Sequence, residues 1–362
     1  MAGEANHKKL AFLPSVTDRD FFIWSTVVFS FIILAMIYIS SFFMNNEAAT
    51  YDTSRFYAMA KVILSGSTPY IAYQDPKPPL IFFTLTLPLL LGQQFFGGLA
   101  LVGLCNLASA VLVMMIAWKL YGRVAGLVAG ILFSLNITWA QGYFVMTEPF
   151  TILFLLIATY LVLCDRNRYF IAGASTGIAI GFKQYALIAV PLLLLFMYLS
   201  KDIQKIPSFV TGVTIPLIAI FSLIFLVYGV QALDASVYWS FGVAEPYISG
   251  QSINGIISSE ETNTLELAVN IFVAICTFTA LALALAGFIK YKRLKAPEVY
   301  LILSAVGFSL TLLIRQYLHY WLLALPFFAI IWAGWLFHDE RISWILRIKR
   351  LIGRAENTDN TV

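Results

Sequence analysis

The chain has 362 residues, of which 60% are hydrophobic and 12% charged, with a formal net charge of +4 at pH 7. Soluble domains carry roughly a quarter charged residues, so this balance excludes an ordinary soluble enzyme and indicates a membrane protein. The small positive charge lies mostly in short loops, which excludes a basic patch suited to nucleic acid and gives information on topology instead.

Long apolar blocks recur along the chain, and most have about 17–23 residues, enough for a helix to cross roughly 30 Å of hydrocarbon. Because backbone groups in lipid need hydrogen-bond partners within the segment, each block is predicted to be an α-helix. The blocks lie at 21–43, 80–96, 98–118, 124–141, 149–164, 169–183, 185–199, 207–229, 267–289, 298–315 and 320–337. The first is too long for a signal-peptide core and lacks a small-residue cleavage site, so it is predicted to remain as an anchor. The predicted fold class is an all-α polytopic membrane protein.

Six short basic stretches indicate the orientation, because cytoplasmic loops carry an excess of Lys and Arg. They lie at 6–9, 119–123, 165–168, 200–205, 290–295 and 341–350. All six fall on the cytoplasmic side if the block at 80–96 is a re-entrant or interface-lying helix. Pro78 and Pro79 precede that block and Pro88 lies within it, which suits a broken or shallow helix. The sequence thus predicts about ten crossings plus this partial segment, with both termini in the cytoplasm.

This topology divides the chain into three regions. Residues 1–20 form a cytoplasmic segment, residues 21–340 a transmembrane domain, and residues 341–362 a cytoplasmic basic tail with a polar, disordered end. The outer loops then lie at 45–79, 142–148, 230–266 and 315–320. Functional side chains are expected in these loops.

The first outer loop contains Asp52, followed by a pattern typical of an amphipathic helix at 54–64. The apolar face of that helix consists of Phe56, Met59, Ala60 and Ile63. Such a juxtamembrane helix is expected to lie on the bilayer surface and to hold Asp52 at its N-terminal end. A helix cap and a functional acid are both open for Asp52, because carboxylates are favoured at that position in any helix.

A second acid, Glu148, lies at the mouth of a hydrophobic block, where burial of a carboxylate is costly. It is predicted either to face a cavity or, with Thr147, to cap the helix that Pro149 begins. Two carboxylates from separate loops on one membrane face favour the functional interpretation, because a carboxylate is the simplest general base for an acceptor hydroxyl.

Cationic side chains are predicted on the same face. Lys77 is flanked by Asp75-Pro76 and Pro78-Pro79, and prolines on both sides restrict its backbone. Snorkelling at the interface would explain the lysine but not the prolines. Lys183 lies between two apolar blocks, and Arg315, His319 and Tyr320 cluster near a helix end. Cations converging at one interface would suit a lipid-linked phosphate.

These features, in order, resemble the GT-C glycosyltransferases. The shared features are the acid after the first helix, "PY…KPPL" at 69–80, "YGR…AG" at 121–126 and the second outer acid. The resemblance is narrowest to the branch that holds the protein O-mannosyltransferases and the aminoarabinose transferases of lipid A. It covers about residues 45–200, and "RQYLHYWLLALPFF" from residue 315 adds to it.

The resemblance implies a role for each matching residue. Asp52 would be the catalytic base and Glu148 the second catalytic acid of the site. The residues implied at the donor phosphate are Lys77, Lys183, Arg315, His319 and Tyr320. Candidates for acceptor or sugar contacts are Tyr57, Tyr70, Glu245 and Tyr247, whereas a solvated acidic loop is the alternative interpretation of residues 230–266. Thr53 follows Asp52 where many relatives have a second acid, which weakens a metal-binding interpretation, so no cofactor is expected to be required and a divalent metal is not favoured.

The implied function is inverting transfer of a monosaccharide from an undecaprenyl- or dolichyl-phosphate donor to a lipid, glycan or protein acceptor at the external face of the cell membrane. One alternative is a secondary transporter or lipid flippase, in which internal repeats with broken helices are expected. The sequence shows no convincing repeat. Another is a subunit that only binds polyprenyl phosphate and would not need Asp52.

Overall fold

The computed structural model describes residues 17–43, 51–138, 140–243, 282, 294–314 and 317–337. Within these ranges the chain is helical and contains no β-strand. The α-helices are α1 (Asp18–Phe43), α2 (Tyr51–Leu64), α3 (Leu80–Leu90), α4 (Gln94–Tyr121), α5 (Arg123–Asn136), α6 (Thr147–Cys164), α7 (Tyr169–Phe182), α8 (Ala189–Leu199), α9 (Ile206–Tyr228), α10 (Val230–Val237), α11 (Ala296–Ser309), α12 (Thr311–Ile314) and α13 (Trp321–Phe337). Short 3₁₀ segments lie at Gln184–Ile188, Ile203–Lys205 and Leu318–Tyr320, and a π-helical turn at Tyr238–Gly242.

Four of the described helical segments are long and apolar enough to cross a membrane. They are Asp18–Tyr38, Phe96–Tyr121, Thr147–Cys164 and Ile203–Tyr228. Six shorter apolar helices of 10–17 residues accompany them. The all-helical architecture is therefore as predicted, whereas the number of about ten crossings stays a prediction.

The apolar block predicted at 80–96 is divided between two helices. Helix α3 ends at Leu90, and α4 begins at Gln94 after a turn in which Gly92 has a φ of 65°. Eleven residues rise only about 16 Å, roughly half the thickness of the hydrocarbon core. The shortness of α3 fits the predicted partial segment, although the predicted boundary was several residues too far along the chain.

Helix α2 corrects two expectations about the first outer loop. It begins at Tyr51, so Asp52 lies inside its first turn and is not the residue that precedes the helix. Its apolar face packs on α3, and Phe56, Met59 and Ala60 are each at most 1% exposed. The expectation that this face lies on the bilayer surface is wrong, because the protein itself covers it.

The core consists of two clusters of buried side chains. The larger cluster contains residues of α1, of α4 to α9, and of α11 and α13. The smaller cluster joins α2, α3 and the 65–79 loop to the ends of α6 and α7 and to the 230–243 segment. Within it, the ring of Phe150 at the start of α6 stacks on Phe182 at the end of α7, with 5.1 Å between centroids. This contact holds the start of α6 beside the end of α7, at one end of the helical bundle.

The basic stretches at 119–123, 165–168 and 200–205 gather at the other end of the bundle. Arg123 pairs with Asp18, and Arg166 lies 4.0 Å from Asp202, which also accepts a 2.7 Å hydrogen bond from Tyr169. These contacts connect the 165–168 and 200–205 turns, and join the 119–123 turn to the start of α1. The predicted cytoplasmic loops at these positions thus occupy the end away from Phe150 and Phe182.

Glycines allow α7 and α9 to approach closely. A Cβ added at Gly177 would overlap the carbonyl oxygen of Val213, and one added at Gly173 would overlap that of Phe209. The close-packed interface between α7 and α9 has no room for the backbone shift that an added methyl group would require. Close backbone approach at small residues is the usual packing mode of helices in membranes.

Gly177→Ala should therefore destabilise the protein, by about 1–3 kcal/mol, as overpacking does. Gly307→Ala is the matched control, because its added Cβ would meet no backbone atom and only two side chains, Ile188 at 3.2 Å and Leu192 at 3.6 Å. Thermal unfolding in detergent measures both, and Gly177→Ala should lower Tm by several degrees more than Gly307→Ala. Equal Tm values would show that α7 and α9 are not in close contact.

Candidate functional site

Glu148 is buried at the start of α6, with 1% of its surface exposed. Its carboxylate accepts a 3.0 Å hydrogen bond from the Thr147 hydroxyl at Oε2 and pairs with the Lys183 ammonium at Oε1. His319 Nε2 lies 3.6 Å from the same Oε1. Met146 is the N-cap of α6, so the expectation that Thr147 or Glu148 caps this helix is wrong. Glu148 stands instead in the first turn, where the helix dipole favours a carboxylate.

Lys183 follows the last residue of α7 in an extended conformation and is 1% exposed. Besides the Glu148 carboxylate, its ammonium faces the ring of Tyr320 at 4.2 Å and that of Tyr185 at 5.3 Å. An aromatic face attracts a cation most strongly where both are shielded from water. The end of α7, the start of α6 and the turn before α13 are thereby joined around one buried charge pair.

His319 has charged groups on several sides. Burial lowers the pKa of His319 to about 4, while the carboxylates of Glu148 and Asp52 oppose the shift and the cations of Lys183 and Lys77 reinforce it. The imidazole is therefore neutral at pH 7. The same influences show that the four predicted charged residues lie within electrostatic range of His319. Two acids and two cations from separate parts of the chain meet at one end of the bundle.

Asp52 is partly exposed in the first turn of α2. The neighbouring Thr53 donates a 3.0 Å hydrogen bond to the carbonyl oxygen of Val145, in the turn that leads to Glu148. This bond directly joins the first two of the predicted outer loops. It holds the start of α2 beside the start of α6.

The loop that carries Lys77 is tethered at several points, and Lys77 itself is 7% exposed. The Tyr70 hydroxyl donates a 2.7 Å hydrogen bond to the Lys77 carbonyl, and the Gln184 amide donates one of 3.2 Å to the Pro76 carbonyl. On the other side Arg55 pairs with Asp75, with 3.0 Å between Nε and Oδ2. Sequence reasoning missed both members of this pair. The available signal was the position of Arg55 three residues after Asp52 in the same helix.

Tyr57 and Tyr70 were candidates for acceptor or sugar contacts. Both are buried, and both hydroxyls donate to backbone carbonyls, that of Tyr57 to Gln94 and that of Tyr70 to Lys77. Burial raises the pKa of Tyr57 to about 12. These contacts favour a structural role for both side chains.

Arg315, Glu245 and Tyr247 lie outside the described residues. In the part of the chain that the structure describes, no three His, Cys, Asp or Glu side chains are grouped closely enough to hold a metal ion. Whether the reaction requires a metal ion therefore stays a prediction.

Comparison with known proteins supports the resemblance found in the sequence. Residues 76–228 match the family model described as dolichyl-phosphate-mannose-protein mannosyltransferase. A search of curated protein sequences gives no match. Among solved structures, ArnT from Cupriavidus metallidurans bound to undecaprenyl phosphate is 17% identical with a TM-score of 0.60, over 92% of this chain and 62% of that chain. The apo oligosaccharyltransferase of Archaeoglobus fulgidus is 11% identical with a TM-score of 0.59, over 94% of this chain and 53% of that chain.

The chain thus spans about three-fifths of ArnT and about half of the oligosaccharyltransferase. Both proteins are members of the GT-C superfamily. The apolar helices of the present chain agree with an integral membrane protein of that kind. The chain has the fold of the GT-C membrane glycosyltransferases and matches one of their families over residues 76–228.

Proposed function

We propose that the protein transfers one monosaccharide from a polyprenyl-phosphate donor to an acceptor hydroxyl, with inversion at the anomeric carbon. The observation that carries the proposal is that hydrogen bonds hold the start of α2, which carries Asp52, and the loop of Lys77 beside the ends of α6 and α7. The Glu148–Lys183 pair and His319 lie at those same ends. A carboxylate beside buried cations provides a base for the acceptor and a countercharge for a leaving phosphate.

In this mechanism the Asp52 carboxylate removes the proton from the acceptor hydroxyl as its oxygen attacks the anomeric carbon. The bond from that carbon to the phosphate oxygen breaks, and its electron pair leaves with the polyprenyl phosphate. Lys77, in its tethered loop, stabilises the negative charge that grows on the phosphate, together with Arg315. Because a monophosphate carries limited charge, these cations suffice and no divalent metal ion is required.

The inner wall of the proposed phosphate site consists of Lys183, Glu148, His319 and Tyr320. Since the ammonium of Lys183 is already paired with Glu148 and covered by Tyr320, it acts on the donor mainly through the arrangement of its neighbours. Glu148 orients both Lys183 and His319. The neutral imidazole of His319 supplies a hydrogen bond to a phosphate oxygen.

The class of donor is supported by the comparisons. The structure of ArnT contains undecaprenyl phosphate, and the matching family model is named for dolichyl-phosphate mannose. Both are polyprenyl phosphates, one bare and one carrying a sugar. In this proposal the acceptor is a lipid, glycan or protein at the external face. The basic loops at the other end of the bundle support a cytoplasmic location for both termini.

The test is transfer by the purified protein in nanodiscs, supplied with a panel of undecaprenyl- and dolichyl-phosphate sugars and with cell-envelope acceptors. Release of free polyprenyl phosphate together with a glycosylated product supports the proposal. Donor binding or movement across the bilayer without any product from the whole panel would support the carrier function instead.

Lys77→Gln should raise the donor KM by about 10- to 100-fold, because a hydrogen bond to a charged group is worth about 1.5–3 kcal/mol. Lys205→Gln, an exposed lysine at the other end of the bundle, is the matched control and should leave KM unchanged. Steady-state kinetics with varied donor concentration measure both variants. An unchanged donor KM in Lys77→Gln would remove Lys77 from the phosphate site.

A further inference from the structure

Arg55 and Asp75 form an ion pair buried inside the protein. Their side chains are 9% and 2% exposed, and Arg55 Nε lies 3.0 Å from Asp75 Oδ2. The guanidinium also donates a 2.9 Å hydrogen bond to the Gln74 carbonyl, and its carbon lies 5.8 Å from the centre of the Tyr73 ring. One arginine therefore holds three consecutive residues of the loop that carries Lys77.

The pair connects the two halves of the proposed reaction site. Arg55 follows Asp52 by three residues, so both lie on neighbouring positions of one helical face. Asp75 precedes Lys77 by two residues in a stretch that Pro76, Pro78 and Pro79 restrict. The ion pair therefore links the helix that carries Asp52 to the loop that carries Lys77.

A buried ion pair adds little to the stability of a fold, because the free-energy cost of removing two charges from water offsets most of their attraction. Burial raises the pKa of Asp75, and the positive charges of Lys77 and Arg55 oppose that shift. The second oxygen, Oδ1, has no hydrogen-bond partner within the described residues. The charge of this carboxylate depends on the two cations. The pair is therefore better explained by the position that it gives the loop than by any stability that it adds.

We propose that Arg55 and Asp75 are positioning residues that set the distance between the base Asp52 and the phosphate-binding Lys77. The inference rests on the proposed function, which assigns Asp52 as the base and Lys77 as the phosphate ligand. In a displacement reaction the acceptor oxygen, the anomeric carbon and the leaving phosphate must align, and a misplacement of about 1 Å can lower the rate by about 10²-fold. The ion pair fixes this alignment before the donor binds.

The kinetic signature differs from that of a phosphate ligand. Arg55→Gln should lower kcat by about 10- to 100-fold and leave the donor KM within about threefold of the wild type, because Lys77 still reaches the phosphate. Arg55→Lys keeps the charge beside Asp75 but loses the fork geometry, so it should retain an intermediate kcat. Lys61→Gln, an exposed lysine of the same helix, is the control and should behave as wild type.

A distance measurement tests the Arg55–Asp75 pair as a clamp between α2 and the loop of Lys77, without relying on sugar transfer. Spin labels are placed at Lys61→Cys on α2 and Ile71→Cys in the loop, both exposed, in a background without native cysteines. The wild-type pair should give one narrow distance distribution, and Arg55→Gln should broaden or shift it. Arg55→Lys and Asp75→Asn supply the same comparison if Arg55→Gln does not fold.

An unchanged distribution in the Arg55 variants overturns the inference even if activity falls. A raised donor KM with unchanged kcat also overturns it, since Arg55 would then bind the donor itself. If the distribution broadens but the wild type transfers no sugar from any donor, the clamp exists and the proposed function is what fails.

Discussion

Asp52→Asn should lower kcat for sugar transfer by about 10²- to 10⁴-fold, the contribution expected of a general base. Asparagine has nearly the same shape as aspartate and remains compatible with the first turn of α2, so the fold should persist. The donor KM should change little, because Asp52 acts on the acceptor and not on the phosphate. Transfer is measured with the purified variant under saturating donor and acceptor.

Asp165→Asn is the matched control for this variant. Asp165 is also partly exposed, but it lies in the turn between α6 and α7, at the far end from Glu148. It should retain wild-type kcat. Activity close to wild type in Asp52→Asn would exclude Asp52 as the base, whatever the effect of Asp165→Asn.

Hydropathy predicted the long helices well because their boundaries coincide with polar turns. The predicted block at 149–164 corresponds to α6, Thr147–Cys164, and the block at 207–229 to α9, Ile206–Tyr228. The division between α3 and α4 was placed several residues late because the polar Gly92-Gln93-Gln94 turn was included in the apolar block. So short a polar turn between two apolar helices produces little hydropathy signal.

The environment of an apolar face is harder to predict than its existence. The helical spacing of Phe56, Met59 and Ala60 indicated one buried face on α2, and the structure contains it. Burying an apolar side chain against lipid or against protein gives a similar free energy, so the pattern could not distinguish a bilayer surface from α3. Tertiary packing determines that this face of α2 contacts α3.

The individual charges of the site were visible in the sequence, but their pairing was not. Glu148 and Lys183 each stood out as a charge at the edge of an apolar block. Their ion pair depends on α6 and α7 being antiparallel and in register, as the Phe150–Phe182 stack shows. Arg55 and Asp75 were missed because each occurs in a polar stretch where a solvated side chain is the ordinary expectation.

The Glu148–Lys183 pair should dominate the stability of this end of the bundle. Lys183→Met leaves the Glu148 carboxylate buried with the Thr147 hydroxyl and the neutral His319 but without its cation, and loss of one partner of a buried pair costs about 3–5 kcal/mol. Glu148→Gln should have a similar effect, since Lys183 then loses the anion with which it is paired. Thermal unfolding in detergent should show a large fall in Tm for each single variant.

The double variant Glu148→Gln/Lys183→Met separates a specific pair from general sensitivity of the site. With both charges removed no buried charge is left unpaired, so the double variant should be more stable than the sum of the two single effects predicts, by about 0.5–3 kcal/mol. Asp18→Asn is the control, because the exposed Asp18–Arg123 pair at the other end should contribute little. Strictly additive losses at Glu148 and Lys183 would mean that the two side chains do not interact, and the arrangement of charges proposed to receive the donor phosphate would then be wrong.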